Sequence, residues 1–135
     1  MTELLFAVRT EQGVEAAARA VEAALAQRKF SVLWELDVNA KLEEKGQHLD
    51  RPYRILEVCS APRAREALEA EPNVGYFLPC KVVIYEKDGH TEIGLPRPTA
   101  LIGMVGTPEL GALAAEVETV LVDAVREAAG PEGVR

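Results

Sequence analysis

The sequence predicts an α+β fold, a two-layer sandwich with helices on one face of a largely antiparallel sheet. Three observations carry that expectation. Short segments alternate apolar and polar residues with the period of strands, and longer ones keep a single apolar stripe at helical spacing. Lys87-Asp88-Gly89-His90 reads as a tight hairpin, because Asp-Gly tolerates the positive φ angles of a two-residue type I′ turn. At 135 residues the chain is an ordinary size for one domain and can bury roughly two-thirds of its unfolded surface. One domain is expected over 1–130, with 131–135 as a frayed tail.

The elements follow in order. Glu3 to Arg9 alternates as a first strand, with Leu4, Phe6 and Val8 on one side. Thr10 is placed to cap a helix from Glu11 to Arg28, whose inner stripe Val14, Ala17, Ala18, Val21 and Leu25 is small enough to lie close to a sheet. Phe30 to Val38 alternates more strongly, which assigns Trp34 and Leu36 to the core and turns Glu35 and Asp37 outward. Asn39 is expected to cap a short helix, Ala40 to Lys45, ended by Gly46; His48 lies in the exposed loop beyond it.

Tyr53 to Cys59 forms a third strand. Leu56 and Val58 are assigned to the helix side, since the alternative buries Glu57 without a partner. Pro62 opens a helix that Pro72 stops, with Ala64, Ala67 and Leu68 inward. Asn73 to Leu78 reads as loop, and Pro79-Cys80 begin a fourth strand with Val82 and Ile84 on one side and Lys81, Val83 and Tyr85 on the other. His90 to Leu95 returns as a fifth strand, and an apolar loop follows. Thr107-Pro108-Glu109 then starts a last helix whose stripe, from Leu110 through Leu121 to Ala128, runs about six turns to Gly130.

That layout leaves one sheet face uncovered, bearing Leu5, Leu33, Ile55, Val83 and Tyr85 among Arg9, Glu35, Asp37, Glu57 and Lys81. Apolar area of that extent makes the face a candidate interface. A homodimer is expected there, with Leu33, Ile55, Val83 and Tyr85 as its contact residues.

A net charge of −7 and the lack of a Lys/Arg cluster argue against nucleic acid or an anionic membrane as partner. No apolar run approaches the ~20 residues of a spanning helix, and Met1-Thr2-Glu3 lacks the basic-then-apolar pattern of a signal peptide. A cytoplasmic protein is expected, with Cys59 and Cys80 as reduced thiols rather than a disulfide.

No stretch completes a catalytic signature. The chemistry-bearing candidates are Cys59 and Cys80, with Glu57 and Pro79 beside them. Three classes of function remain open. The first is a non-catalytic ligand-binding or assembly module in which the cysteines are packing residues. The second is a thiol-based redox site or a soft metal site for Zn(II) or Cu(I) at Cys59 and Cys80; apart from such a soft metal ion no cofactor is expected. The third is an enzyme with a cysteine nucleophile, for which Cys59 sits before the helix near Pro62, whose N-terminus could stabilise a thiolate. Neither His48 nor His90 has a local reason to reach the thiols, and Gly103-x-x-Gly106 lacks the Lys-Ser/Thr of a phosphate loop. Strand alternation turns Cys59 away from the helices and Cys80 inward with Val82 and Ile84, so the two thiols are expected to be separate.

Phe30-Ser31-Val32, Leu36-Asp37-Val38 and Ile55-Leu56-Glu57-Val58-Cys59 carry a resemblance, as do Pro62, Ala67-Leu68, Glu71-Pro72 and Val74-Gly75. The most specific mark is Leu78-Pro79-Cys80, running on through Lys81 to Glu86. Together they resemble the small, mainly prokaryotic family known as domain of unknown function 302. Two positions depart from its pattern: Lys29 stands where the family often has Gly, and Ser60-Ala61-Pro62 where it often has Asn-Pro. The resemblance implies one α+β domain of the TATA-binding-protein-like type, ordered β-α-β-β-β-β-α with short extra helices. It implies no DNA binding and no particular activity.

Overall fold

The computed structural model describes residues 4–104 and 108–130; Glu3, Thr107, Gly106 and the tail 131–135, to which the expectations above extend, lie outside them. Five strands, β1 (Leu5–Thr10), β2 (Ser31–Asp37), β3 (Tyr53–Cys59), β4 (Cys80–Lys87) and β5 (His90–Pro96), form one antiparallel sheet in the order β1-β5-β4-β3-β2. Two long helices, α1 (Val14–Ala26) and α5 (Pro108–Ala129), cover one face. Shorter elements are α2 (Val38–Glu44), α3 (Ala61–Ala70), a 3-10 helix (Pro72–Phe77) and α4 (Pro98–Gly103).

The core lies between that sheet face and α1 and α5. Phe6 and Val8, Leu56 and Val58, Val82 and Ile84, and Ile93 and Leu95 come from alternate strand positions and meet Ala17, Ala18, Val21, Leu121 and Val125 of the helices. Alanines on α1 bring its backbone close, and each fully buried Leu, Ile or Val contributes about 1.5–3 kcal/mol relative to exposure. Asp88 and Gly89 both take positive φ in the hairpin, as its sequence predicts.

The second strand departs from its predicted alternation. Val32 pairs with Val58, but the next register partner of β3, Glu57, pairs with Trp34, so Leu33 is an extra residue in a β-bulge. Every later side chain changes face. Trp34, expected in the core, is 53% exposed, and Leu36 shares the uncovered face with Ile55. Glu35 and Asp37 point to the helix side instead, where Glu35 accepts a hydrogen bond from Arg54 (2.6 Å) and pairs with Arg19 of α1. Arg54 also pairs with Glu15 at 2.6 Å, so these half-buried charges are all matched.

Smaller corrections have local causes. Thr10 is buried and caps nothing; its Oγ1 accepts from Gln12, and α1 starts after Gly13. Asp37 rather than Asn39 caps α2, accepting from the Ala40 amide at 3.1 Å. Asn39 instead pins the following loop through the carbonyls of Leu49 and Arg51 and the Tyr53 amide. Leu68 is exposed, and His90, the first residue of β5, is a half-buried partner of Glu92 at 3.1 Å. Residues 73–77 and 98–103, read as loop, are helical because their apolar side chains pack down on α5. No described helix is long and apolar enough to cross a membrane.

Candidate functional site

The sheet does not end flush with its helices. Beyond the last residues of β3 and β5 and the first of β4, four helical pieces close over a space: α3, the 3-10 helix, α4 and the N-terminal half of α5. The result is a cavity of about 230 Å³. Its walls are apolar, with Val74 and Leu110 fully buried and Leu78, Ile102 and Leu113 packed on them. For scale, an engineered apolar cavity of about 150 Å³ stays dry and takes up benzene.

Both cysteines line this space. Cys80 pairs across from Val58 and packs against the core, while Cys59 pairs with Ser31 at the start of β2. The unpaired thiols are thus neighbours at one end of the sheet, although alternation assigns them to opposite faces. Burial, with a smaller push from Cys59, drives the Cys80 thiol up to about 11. Burial also raises Cys59. A nucleophile works as thiolate, and burial raises both thiols away from that form.

Pro79, joined to Leu78 by a cis peptide bond, lines the cavity; Glu57 does not. Glu57 lies on the uncovered face, paired with Lys81 at 2.5 Å and across from Trp34. His48 pairs with Glu43 and Asp50, and His90 with Glu92. Among the described residues no three His, Cys, Asp or Glu side chains group as a metal site.

Two further polar side chains of the cavity, Ser60 and Arg63, were not singled out from the sequence. Ser60 is buried at the N-cap of α3. Arg63, one turn on, stacks over Phe30 with 5.6 Å to the ring centroid, pairs with Glu116 of α5 at 2.6 Å and reaches the Ser60 hydroxyl at 3.4 Å. The signal available was weak: an arginine in the first turn of a helix, where a cation opposes the helix dipole.

Residues 6–128 match a family described as Domain of unknown function DUF302. The chain belongs to this family. A crystal structure of an uncharacterised conserved DUF302 protein from Bacillus stearothermophilus is 39% identical, covers 93% of this chain and 98% of its own, and superposes with a TM-score of 0.88. No curated protein matches the chain at a significant level. The DUF302 fold is therefore the five-stranded antiparallel sheet and helical layer described above, and Leu78-Pro79-Cys80, the mark most specific to the resemblance, forms part of the cavity wall.

Proposed function

We propose that this DUF302 protein is a non-catalytic binding module that takes a small apolar molecule into the cavity at the end of its sheet. The cavity carries the reading: about 230 Å³ of space walled largely by Val74, Leu78, Ile102, Leu110 and Leu113 favours an apolar body. Thiols whose burial raises them support packing residues over an enzyme nucleophile, and two unpaired cysteines fit a reducing compartment such as the cytosol. Isothermal titration with 1-octanol tests the reading against Ala114→Leu, whose longer side chain enters the same space. Saturable binding by the wild type that the variant loses is expected. Identical titrations of the two proteins would sink it.

Trp34 favours a second element of the reading, a homodimer on the uncovered sheet face. The register places Ala7, Gly94, Val83, Ile55 and Leu36 in one row across all five strands, flanked by Tyr53 stacked on Tyr85 and by the exposed Trp34 and Leu33. Five strands spaced about 4.8 Å apart and about 20 Å long give two copies roughly 1,000 Å² of joint footprint, the lower bound for a specific interface. On this face Lys81 neutralises Glu57 within the chain, which lowers the repulsion two copies of an acidic protein would meet there. Light scattering at micromolar concentration should report twice the chain mass, and Ile55→Glu should halve it. The lone tryptophan should shift to shorter emission wavelengths on association. A monomer mass at every concentration, with Trp34 emitting as in water, removes the dimer.

A further inference from the structure

In a chain with 22 acidic and 15 basic residues, the cavity lining includes Arg63 and Lys81 and no carboxylate among the described residues, although the Lys81 ammonium is turned to Glu57 on the sheet face. Its other polar side chains are the Ser60 hydroxyl, the Tyr76 phenol and the thiols of Cys59 and Cys80, all able to donate a hydrogen bond.

The cations differ in what they can offer. Lys81 is held by Glu57 on the sheet face. Arg63 bridges the cavity wall: one side of its guanidinium meets Glu116, which is half exposed and outside the lining, and the other reaches the buried Ser60 hydroxyl. Ser60 accepts in that contact, and its own proton has no acceptor among the described residues. An exposed Arg–Glu pair contributes little, typically ~0–1 kcal/mol, so an acid entering the cavity can take the place of Glu116. The guanidinium fork suits two carboxylate oxygens, and Phe30 beneath it fixes its plane.

We propose that the ligand is a small apolar acid, its hydrocarbon body in the cavity and its carboxylate bound by Arg63 and Ser60. This rests on the apolar-cavity reading above and adds the head group to it. A medium-chain acid such as octanoate has the required form. Cys59 and Cys80 then supply an uncharged wall that does not repel the acid.

Octanoate and 1-octanol, titrated side by side into the full chain, separate the two levels of the proposal. Octanoate is expected to bind about tenfold more tightly or better, in line with a charge-assisted pair. Arg63→Met, which keeps the apolar stem over Phe30, should lose that margin for octanoate and leave 1-octanol unchanged. Glu116→Gln, which frees the guanidinium without touching the lining, should tighten octanoate severalfold. Thermal melts of both variants establish that each is folded. Equal affinities for the acid and the alcohol overturn the carboxylate site while the apolar cavity stands; no binding of either overturns both. Octanoate binding that survives Arg63→Met and ignores Glu116→Gln overturns the assignment to Arg63.

Discussion

Filling the cavity should stabilise the protein. Ala114 is buried on α5 with its side chain lining the space. Ala114→Leu adds three carbons, and about 230 Å³ is room for them without displacing a neighbour. Burying three methylene equivalents is worth roughly 2.4 kcal/mol at ~0.8 kcal/mol each, less about 0.8 kcal/mol for the leucine rotamer freedom lost. A net gain of about 1.5 kcal/mol, set against an unfolding entropy near 0.28 kcal/mol/K for a chain of this length, raises Tm by about 5 °C. Differential scanning calorimetry of wild type and variant at equal concentration measures it. The sign decides. Overpacking a closed core typically costs 1–3 kcal/mol, so a fall in Tm would mean that no cavity exists at Ala114, and the ligand site would go with it.

Three further outcomes follow from single positions. Lys29 closes α1 at φ 65°, where Phe30 N–H reaches back to the Leu25 carbonyl, and the family often has glycine there; Lys29→Gly should raise the urea midpoint by the equivalent of about 0.5–1 kcal/mol, and no rise would mean the left-handed backbone is unstrained. Burial works against the Glu35 carboxylate, but hydrogen bonds from Arg19 and Arg54 outweigh it and hold its pKa below the usual range. That stabilisation is present above pH ~4.3 and lost as pH falls through the lower folded value, so Glu35→Gln should cost about 1 kcal/mol at pH 7 and progressively less below pH 4 in urea titrations. A cost unchanged at pH 3 would contradict the charge pairing. Iodoacetamide at pH 8 should modify Cys59 slowly and Cys80 more slowly still, with Cys80 accelerating only toward pH 11; Cys80 labelling at the rate of a free thiol would show that it is not shielded.

The strands and long helices were legible because their periods are set locally: Phe6 and Val8, or Leu121 and Val125, alternate or recur as any half-buried element must. Trp34 shows where that logic stops. Leu33 and Trp34 are both large and apolar, so the segment has two self-consistent registers, and a one-residue slip exchanges every later side chain. What selects between them is tertiary. Arg19 on α1 and Arg54 on β3 wait on the helix side for Glu35 and Asp37, and no local pattern records arginines sixteen and nineteen residues away. The cavity escaped for a related reason. Its walls come from separate short segments, two of which looked like loops, and only their excess of apolar side chains over what a loop needs hinted that they were packed on something.

Lys81 is where the two proposed surfaces meet. Its residue lines the cavity, and its ammonium is held by Glu57 on the uncovered face, in the row that ends at Trp34. A second copy seated on that face would remove water from the Glu57–Lys81 pair and hold the lysine more firmly in place, and so fix one wall of the cavity. Linkage then requires reciprocity: whatever factor dimerisation contributes to octanoate affinity, octanoate must return to dimerisation. Ile55→Glu breaks the dimer without touching the cavity lining, so its octanoate affinity should fall, and octanoate should shift wild type toward dimer by the same factor. If the monomeric variant binds octanoate as the wild type does and octanoate leaves the association unchanged, the two surfaces are independent and Lys81 serves only the sheet face.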